Sequence, residues 1–240
     1  MSTSKIVLFD IPSKDPNHAW SVNTWRTRLY LNYKGLDYET EWLEYPEIKP
    51  RFLPHFPARE QYTVPTIKLP DGKYIMDSWL IAEELEKLYP TPSLHVDSPL
   101  RARYIPLLQQ AFIPLRPEIL KKVPGDLLKP VNWEFWQRTR SESVGEPLAQ
   151  WLEKEYGPKM WTAAAPAMQE ITALLKENDG GPFFEGAEVS YIDFVHGGFL
   201  LMFRQFGEES FKQLLDISGE PEVHLKFFEA LKPWTERDNY

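Results

Sequence analysis

A serine placed just before an amphipathic helix is the first residue in this sequence that could do chemistry. Residues 18–35 read HAWSVNTWRTRLYLNYKG, with Ser21 ahead of apolar residues that recur at helical spacing. The 240-residue chain contains no cysteine, which excludes a cysteine nucleophile, a thiolate metal ligand and a disulfide. Ser21 is therefore either a helix cap or a hydroxyl that faces a ligand at the start of the helix.

The neighbours of Ser21 bear on this choice. A capping box started by Ser21 would need Glu or Gln at the third helical position, where the sequence has Thr24. Asn23 caps a helix as well as serine does, so we predict that Asn23 is the cap and that Ser21 lies outside the helix, free to face a ligand. Arg26 would then lie in the first turn, where the helix dipole disfavours a cation. This placement indicates a nearby anion, either a ligand or an acidic side chain.

Two dipeptides, Val64-Pro65 and Asp77-Ser78, form a second set of candidate residues. A proline at the start of a strand leaves the backbone of the preceding residue free to pair with a ligand, and the bond between them can be cis. Asp77-Ser78 opens a helix, whose free N–H groups suit a carboxylate, while the aspartate can accept from an ammonium group. Together they suit the zwitterionic end of an amino-acid-like ligand. The alternatives are an edge-strand proline and an ordinary helix cap.

Strand and helix signals alternate over the first ninety residues. Apolar runs predict strands at 6–9 and 38–45, with a helix between them that Gly35 stops. An irregular connection with room for a short helix follows, and then a hairpin within 64–76 around Pro-Asp-Gly. The order β-α-β-α-β-β-α predicts a four-stranded mixed sheet with helices packed on it.

Strand signals vanish beyond a linker at residues 89–99. Helix-start signals recur through the rest of the chain, at Ser98, Asn132, Pro158, Ser190 and Pro221. We therefore predict two domains: an α/β domain over residues 1–90, and an all-helical bundle of five to seven helices over residues 91–240.

Composition and charge exclude several classes of function. The net charge of −8 argues against a broad nucleic-acid-binding surface. The longest apolar run, FVHGGFLLMF, contains His196 and is followed by Arg204, so we expect no membrane span. The apolar run near the N-terminus is too short for a signal peptide, which favours a cytoplasmic protein. The histidines are scattered without metal-ligand spacing, so no metal site is expected.

The combination of these features is more specific than any one of them. Val-Pro before the third strand, Asp-Ser before the last helix of the first domain and an all-helical second half resemble the glutathione transferase superfamily. In the second half, FFEGAEVSYIDFV matches that family's Ser-x-x-Asp box at Ser190 and Asp193, a capping box with a structural role. The stretch AWSVNTWRT further resembles the serine-type fungal transferases related to bacterial lignin β-etherases, the FuA class. Val22 stands where relatives often have proline.

The resemblance implies a thioredoxin-like first domain that binds glutathione as co-substrate and a helical second domain that contributes the electrophile site. It implies that the Ser21 hydroxyl donates to the glutathione thiolate, since the tyrosine and cysteine of other subgroups have no counterpart here. The residues implied in glutathione binding are Asn23, Gln61, Val64, Pro65, Asp77 and Ser78, with Arg59 and Lys49 as further candidates for the glycyl carboxylate.

The electrophile is expected between the two domains. Trp20, Tyr45, Phe52 and Phe112 could form an apolar wall suited to aromatic compounds, although aromatic residues at helical spacing more often lie in a core. In NWEFWQRTR, residues 132–140, we expect packed aromatic side chains and solvated arginines.

Three functions are compatible with these residues. The first is an enzyme that activates glutathione for conjugation or for aryl-ether cleavage. The second is a ligandin-type binder of aromatic or phenolic molecules with little catalysis. The third is a structural or interaction subunit that has the same fold. By resemblance, a homodimer is also expected.

Overall fold

The sheet and its helices are the part of the molecule that positions the candidate site. The computed structural model describes residues 5–239. The elements of the first half are β1 (Ile6–Asp10), α1 (Val22–Tyr33), β2 (Tyr38–Trp42), α2 (Tyr45–Phe52), β3 (Thr66–Lys68), β4 (Tyr74–Met76) and α3 (Ser78–Leu88). Their order and types confirm the β-α-β-α-β-β-α prediction.

The four strands form one mixed sheet in the order β2-β1-β3-β4. β1 pairs parallel with β2 and antiparallel with β3, and β3 pairs antiparallel with β4. Ile6, Leu8 and Phe9 are all buried, so β1 is covered on both faces as its continuous apolar run predicts. The second strand is shorter than predicted because a capping box at Glu44 starts α2 at Tyr45, within the stretch predicted as strand.

The second half is helical, as predicted. Its α-helices are α4 (Leu100–Lys122), α5 (Trp133–Val144), α6 (Leu148–Glu155), α7 (Pro158–Leu175), α8 (Tyr191–Gln205), α9 (Glu208–Asp216) and α10 (Pro221–Thr235). Four of the predicted helix starts agree with these bounds to within one residue. At the start of α8, Asp193 accepts hydrogen bonds from the backbone N–H of Ser190 (2.7 Å) and of Phe184 (2.9 Å), which confirms the predicted capping box. Among the described residues, no helix is both long and apolar enough to cross a membrane.

A chain of buried hydrogen bonds joins four helices of this half. The Tyr104 hydroxyl lies 2.9 Å from Nδ1 of His196, and Nε2 of His196 lies 3.0 Å from Nδ1 of His224. Nε2 of His224 lies 2.8 Å from the Thr172 hydroxyl, whose own hydrogen reaches the main-chain carbonyl of Met168 or of a second residue. The two histidines are thus satisfied core residues of α8 and α10.

The two halves meet where α1 packs against α8. A Cβ atom at Gly198 would lie 2.7 Å from the carbonyl oxygen of Val22, closer than real Cβ contacts. Glycine at this position therefore lets the first turn of α1 rest directly on α8. At the other end of the interface, the Tyr191 hydroxyl donates to the Ser78 carbonyl over 2.7 Å.

Candidate active site

Ser21 occupies the N-cap position of α1. Its extended backbone (φ −71°, ψ 132°) leads into a helix that begins at Val22, and its carbonyl accepts from the N–H of Trp25 over 2.9 Å. The Ser21 hydroxyl makes no capping hydrogen bond. The prediction that Asn23 caps the helix is wrong, because Asn23 is the second helical residue and is exposed. Ser21 thus occupies the cap position through its backbone alone, and its hydroxyl remains free to donate to another acceptor.

The segment before Ser21 is held from two sides. The Trp20 indole donates to the Pro12 carbonyl over 3.2 Å, which fixes the ring. The N–H of Ala19 donates to the Asp238 carbonyl over 2.8 Å, and the His18 ring lies 3.0 Å from the Asp238 carboxylate. The C-terminal tail therefore helps to set where Ser21 lies.

Ser21 lines a pocket of about 250 Å³ between the two halves. Its wall combines residues of the loop before α1, of α1, of α2 and of helices α4, α5 and α8: Trp20, Ser21, Val22, Tyr45, Phe112, Arg116, Ile119, Leu120, Trp136, Arg140, Ser143 and Met202. Three of the four predicted wall residues, Trp20, Tyr45 and Phe112, thus lie around the same cavity as the serine. Its volume is close to the lower end of ligand pockets, about 300 Å³.

Phe52 does not belong to this wall. Its side chain is fully buried and meets the Phe9 ring edge-on, with ring centroids 5.0 Å apart. The prediction for Phe52 is wrong, because the residue ends α2 on the face that packs against the sheet.

Tyr45 joins α2 to α5. Its N–H donates to Oδ1 of Asn132 over 2.8 Å, and its ring stacks on Phe135 with centroids 5.4 Å apart. Burial raises the pKa of the Tyr45 hydroxyl, and the adjacent Arg140 guanidinium opposes that shift. The hydroxyl therefore stays protonated at neutral pH and can donate to a ligand in the pocket.

Sequence reasoning missed the arginines of the pocket. Arg140 lies over the Trp136 ring, with the guanidinium carbon 4.2 Å from the centroid, so the expectation that the arginines of residues 132–140 are solvated is wrong for this one. Arg116 donates to the Ser143 hydroxyl over 2.6 Å. On a helix that starts at Trp133, positions 136, 140 and 143 share one face, and this spacing is the signal that could have revealed them.

The second set of predicted residues is also brought together. The Val64–Pro65 peptide bond is cis, and the Pro65 carbonyl accepts from the N–H of Asp77 over 3.3 Å. Asp77, at φ 95°, caps α3 by accepting from the N–H groups of Trp79 (2.9 Å) and of the next residue, and Ser78 is the first helical residue. These four predicted residues thus form one cluster, although none of them lines the pocket that contains Ser21.

Arg26 lies between the two sets. It follows Ser21 by five positions on α1, and its charge interacts with Asp77 as well as with the hydroxyls of Tyr104 and Tyr191. Burial lowers the pKa of the guanidinium, and these neighbours oppose that shift. Nε of Arg26 is buried and has no hydrogen-bond partner among residues 5–239. A half-buried guanidinium with a buried, unsatisfied Nε and a charge interaction with Asp77 fits an anionic group of a bound ligand.

The remaining predicted residues lie at the surface. Gln61 is exposed in the segment before Val64, and Lys49 is exposed on α2. Arg59 lies over the Phe56 ring at 5.4 Å. None of the three contacts Ser21 or the pocket in this structure.

Comparison with known proteins accounts for most of the chain. A family model for the glutathione S-transferase N-terminal domain matches residues 20–88, and one for the C-terminal domain matches residues 100–234. The glutathione S-transferase-like protein ustS of Aspergillus flavus is 29% identical in an alignment 239 residues long that covers 90% of this chain and 86% of that protein.

Solved structures show the same similarity. The glutathione transferases GSTFuA2 and GSTFuA3 from Phanerochaete chrysosporium are 26% and 27% identical, with TM-scores of 0.84 and 0.80 over 97% of this chain and 99% and 98% of theirs. A glutathione S-transferase of Ceriporiopsis subvermispora, solved in complex with glutathione, is 30% identical, with a TM-score of 0.81 over 96% of this chain and 98% of that one. The chain belongs to the glutathione S-transferase family, with glutathione as its co-substrate.

Proposed function

We propose that this transferase uses the Ser21 hydroxyl to hold the glutathione thiol as a thiolate and directs it at an aromatic electrophile in the adjoining pocket. One observation carries the proposal. The Ser21 hydroxyl makes no capping bond, stands at the N-terminus of α1 and opens onto a cavity walled by Trp20, Tyr45 and Phe112.

The energetics are within reach of these groups. A free thiol has a pKa of about 8.5, and lowering it by about two units needs roughly 2.7 kcal/mol of selective stabilisation of the anion. A hydrogen bond from a hydroxyl to a charged acceptor contributes about 1.5–3 kcal/mol. The N-terminus of α1 adds about 0.3–1 kcal/mol in the same direction. Ser21 and the helix start together therefore suffice.

The chemical step is a displacement. The thiol proton leaves to solvent before the attack, and Ser21 keeps its own proton throughout as a donor. The sulfur lone pair then forms the bond to an electrophilic carbon, while the bond from that carbon to the leaving group breaks and its electron pair departs with the leaving group. A halide or activated phenoxide as leaving group gives conjugation, and the oxygen of an aryl ether gives ether cleavage. Tyr45, as a neutral donor in the pocket, is placed to hydrogen-bond a departing oxygen.

The glutathione backbone is assigned to the cluster around Val64. The main chain of Val64 pairs with the cysteinyl part, and Asp77 accepts from the ammonium group of the γ-glutamyl part. Ser78 and the unsatisfied Arg26 then take the carboxylate of that part, which suits the first turn of α3. Pro65 fixes the turn, and Gln61 and Asn23 act as further donors.

Three further proposals concern the domain boundary, the cellular location and the oligomeric state. The chain divides at residues 89–99 into a glutathione-binding domain (1–90) and a helical domain (91–240). It works as a cytoplasmic homodimer through α3 and the first helices of the second domain. Leu80 and Leu88, which are 46% and 50% exposed on α3, supply apolar surface for that contact. Light scattering of Leu80→Asp tests the dimer, which should dissociate.

Replacing Ser21 by alanine tests the proposed role. Turnover of an aromatic electrophile should fall, and the pKa of the bound glutathione thiol, read from thiolate absorbance against pH, should rise by about one to two units. The KM for glutathione should change by less than about threefold, because Val64 and Asp77 hold the rest of the molecule. Ser21→Thr, which keeps a hydroxyl, is the matched control. An unchanged thiol pKa in Ser21→Ala would remove Ser21 from the mechanism, and tight binding of phenolic ligands by a wild type without turnover would favour a ligandin.

A further inference from the structure

The pocket beside Ser21 is cationic, although the protein as a whole is acidic. The chain carries a net charge of −8, yet Arg116 and Arg140 line the cavity and none of its lining residues is aspartate or glutamate. Two positive charges on an apolar wall, with no acidic group among them, favour a negatively charged occupant.

Neither arginine is neutralised by the protein. Among residues 5–239, no carboxylate lies within salt-bridge distance of Arg116 or of Arg140, whereas Arg138 on the same helix pairs with Glu142 at 3.4 Å. Arg116 gives a hydrogen bond to Ser143 over 2.6 Å. The ring face of Trp136 supports Arg140 at 4.2 Å, and this stacking leaves the edge of the guanidinium open.

Arg116 and Arg140 have more N–H donors than hydrogen-bond acceptors within the protein. Each guanidinium carries five N–H donors. Arg140 donates to the Thr139 hydroxyl over 3.2 Å and interacts with the Tyr45 hydroxyl, and Arg116 has the single bond to Ser143. Donors are therefore left on both arginines, on the helices that face the serine across the cavity, and a carboxylate is the acceptor that matches a planar guanidinium.

We propose that the electrophile, or the aryl part of the product, is an aromatic carboxylic acid whose carboxylate is bound by Arg116 and Arg140. The ring then lies among Trp20, Phe112 and the indole under Arg140, with its reactive carbon toward Ser21. The inference rests on the proposed function for the reaction, but the anion site itself is a property of the free protein. A cavity of about 250 Å³ suits one ring with a short acidic arm.

Equilibrium binding without glutathione tests the anion site apart from catalysis. The probes are a dinitrobenzoate and its methyl ester, which share the ring and differ in charge. By calorimetry, the wild type should bind the acid at least about tenfold more tightly than the ester, as expected for charge-assisted hydrogen bonds. The double variant Arg116→Gln/Arg140→Gln should lose this preference, and Arg138→Gln, a solvent-facing arginine of the same helix, should keep it.

Turnover then tests the role in the reaction. With glutathione and a chlorodinitrobenzoate, the double variant should lower kcat/KM about 10- to 100-fold more than it does for the methyl ester, so the ratio between the two compounds measures the charge contact. Equal affinity of the wild type for acid and ester, or a preference that survives in the double variant, overturns the proposal without any variant having to be active. If the wild type binds the acid preferentially but turns over neither compound, the proposed function fails and the anion site stands.

Discussion

Replacing His224 by glutamine should reduce the acid sensitivity of this protein's stability. The reason is the direction of the hydrogen bonds in the buried chain. The Thr172 hydroxyl donates to a main-chain carbonyl, so it must accept from Nε2–H of His224. Nδ1 of His224 is then an acceptor for Nε2–H of His196, whose Nδ1 accepts from the Tyr104 hydroxyl. Both rings are neutral in this arrangement, and a proton added to Nδ1 of His224 would face the Nε2–H donor of His196.

The magnitude follows from the pKa shift. Burial lowers the pKa of His224 to about 4 from an ordinary value of 6.5. Between these values the unfolded chain binds a proton that the folded protein excludes, so the free energy of unfolding decreases as the pH falls below 6.5 and stops decreasing near 4. From about pH 7.5 to about pH 5, this one residue removes roughly 2 kcal/mol. At neutral pH, the glutamine variant should itself be about 1–3 kcal/mol less stable, because it loses part of the hydrogen-bond chain.

The assay is urea unfolding of wild type and His224→Gln at both pH values. Low protein concentration is needed because the lower pH is near the isoelectric point of 5.3. Other groups also titrate: burial raises the pKa of Asp193 to about 7, so that carboxyl adds stability as the pH falls. The contribution of Asp193, which does not contact His224, is common to both proteins and cancels in the difference. His196 does contact His224, and its pKa is held well below its ordinary value by burial and by His224, so its pKa changes with the substitution. The contribution of His224 itself should make the difference shrink by about 2 kcal/mol between the two pH values.

Leu231→Val is the control for destabilisation alone. Leu231 is fully buried on the same helix as His224, so the variant should be less stable than the wild type by a similar amount at both pH values, about 0.5–1.5 kcal/mol. If the free-energy difference between His224→Gln and the wild type is also the same at both pH values, His224 does not exclude a proton in the folded state. The assigned hydrogen-bond directions would then be wrong.

Three further predictions concern packing and the site. Gly198→Ala should reduce both turnover and stability, because its Cβ would clash with the backbone of α1. Gly197→Ala should leave turnover unchanged, because its Cβ would meet a leucine methyl that can move. Steady-state kinetics and melting curves distinguish the two variants. Arg28→Met should destabilise by about 3–5 kcal/mol in urea unfolding, since it leaves fully buried Asp10 without the guanidinium now 2.9 Å away, and a loss below 1 kcal/mol would contradict this. Ser190→Ala should lower the melting temperature through the loss of about 0.5–2 kcal/mol of capping, with glutathione affinity unchanged.

The sequence predicted those parts of the fold that depend on local signals. Ser190 marks the start of α8 because its capping box acts within one turn, and the alternation of elements follows from apolar periodicity. Asn132 also precedes a helix, but its side chain binds Glu44 and the N–H of Tyr45 and makes no capping bond to α5. The competition between Ser21 and Asn23 was not decided correctly by local rules, because both residue types cap equally well. α1 starts at Val22, and its first turn packs on α8 at Gly198. Gly198 is far from Ser21 in the sequence, so the residues around Ser21 do not reveal this contact.

The pocket marks a second limit of sequence reasoning. Phe52 and Phe112 are alike in the sequence, but one ends a helix against the sheet and the other stands on α4 facing the cavity. Likewise Arg138 and Arg140 differ by two positions, which on a helix turns one to solvent and the other toward Trp136. Residue types indicated that aromatic side chains line the pocket. Which of them do so depends on the direction of each side chain in the folded chain.

The position of Ser21 depends on chain segments at opposite ends of the sequence. Asp238 binds both Ala19 and His18, and Asn132 of the helical half fixes the backbone of Tyr45. By contrast, the cluster of Val64, Pro65, Asp77 and Ser78, which is proposed to bind glutathione, is built within residues 64–80, and the Tyr191 hydroxyl of α8 donates to the Ser78 carbonyl. Substitutions in the helical half should therefore affect electrophile selection and the position of Ser21 more than they affect glutathione binding. Under the proposed function, this separation lets the arginines of the pocket select the proposed acidic aromatic substrate while the co-substrate stays the same.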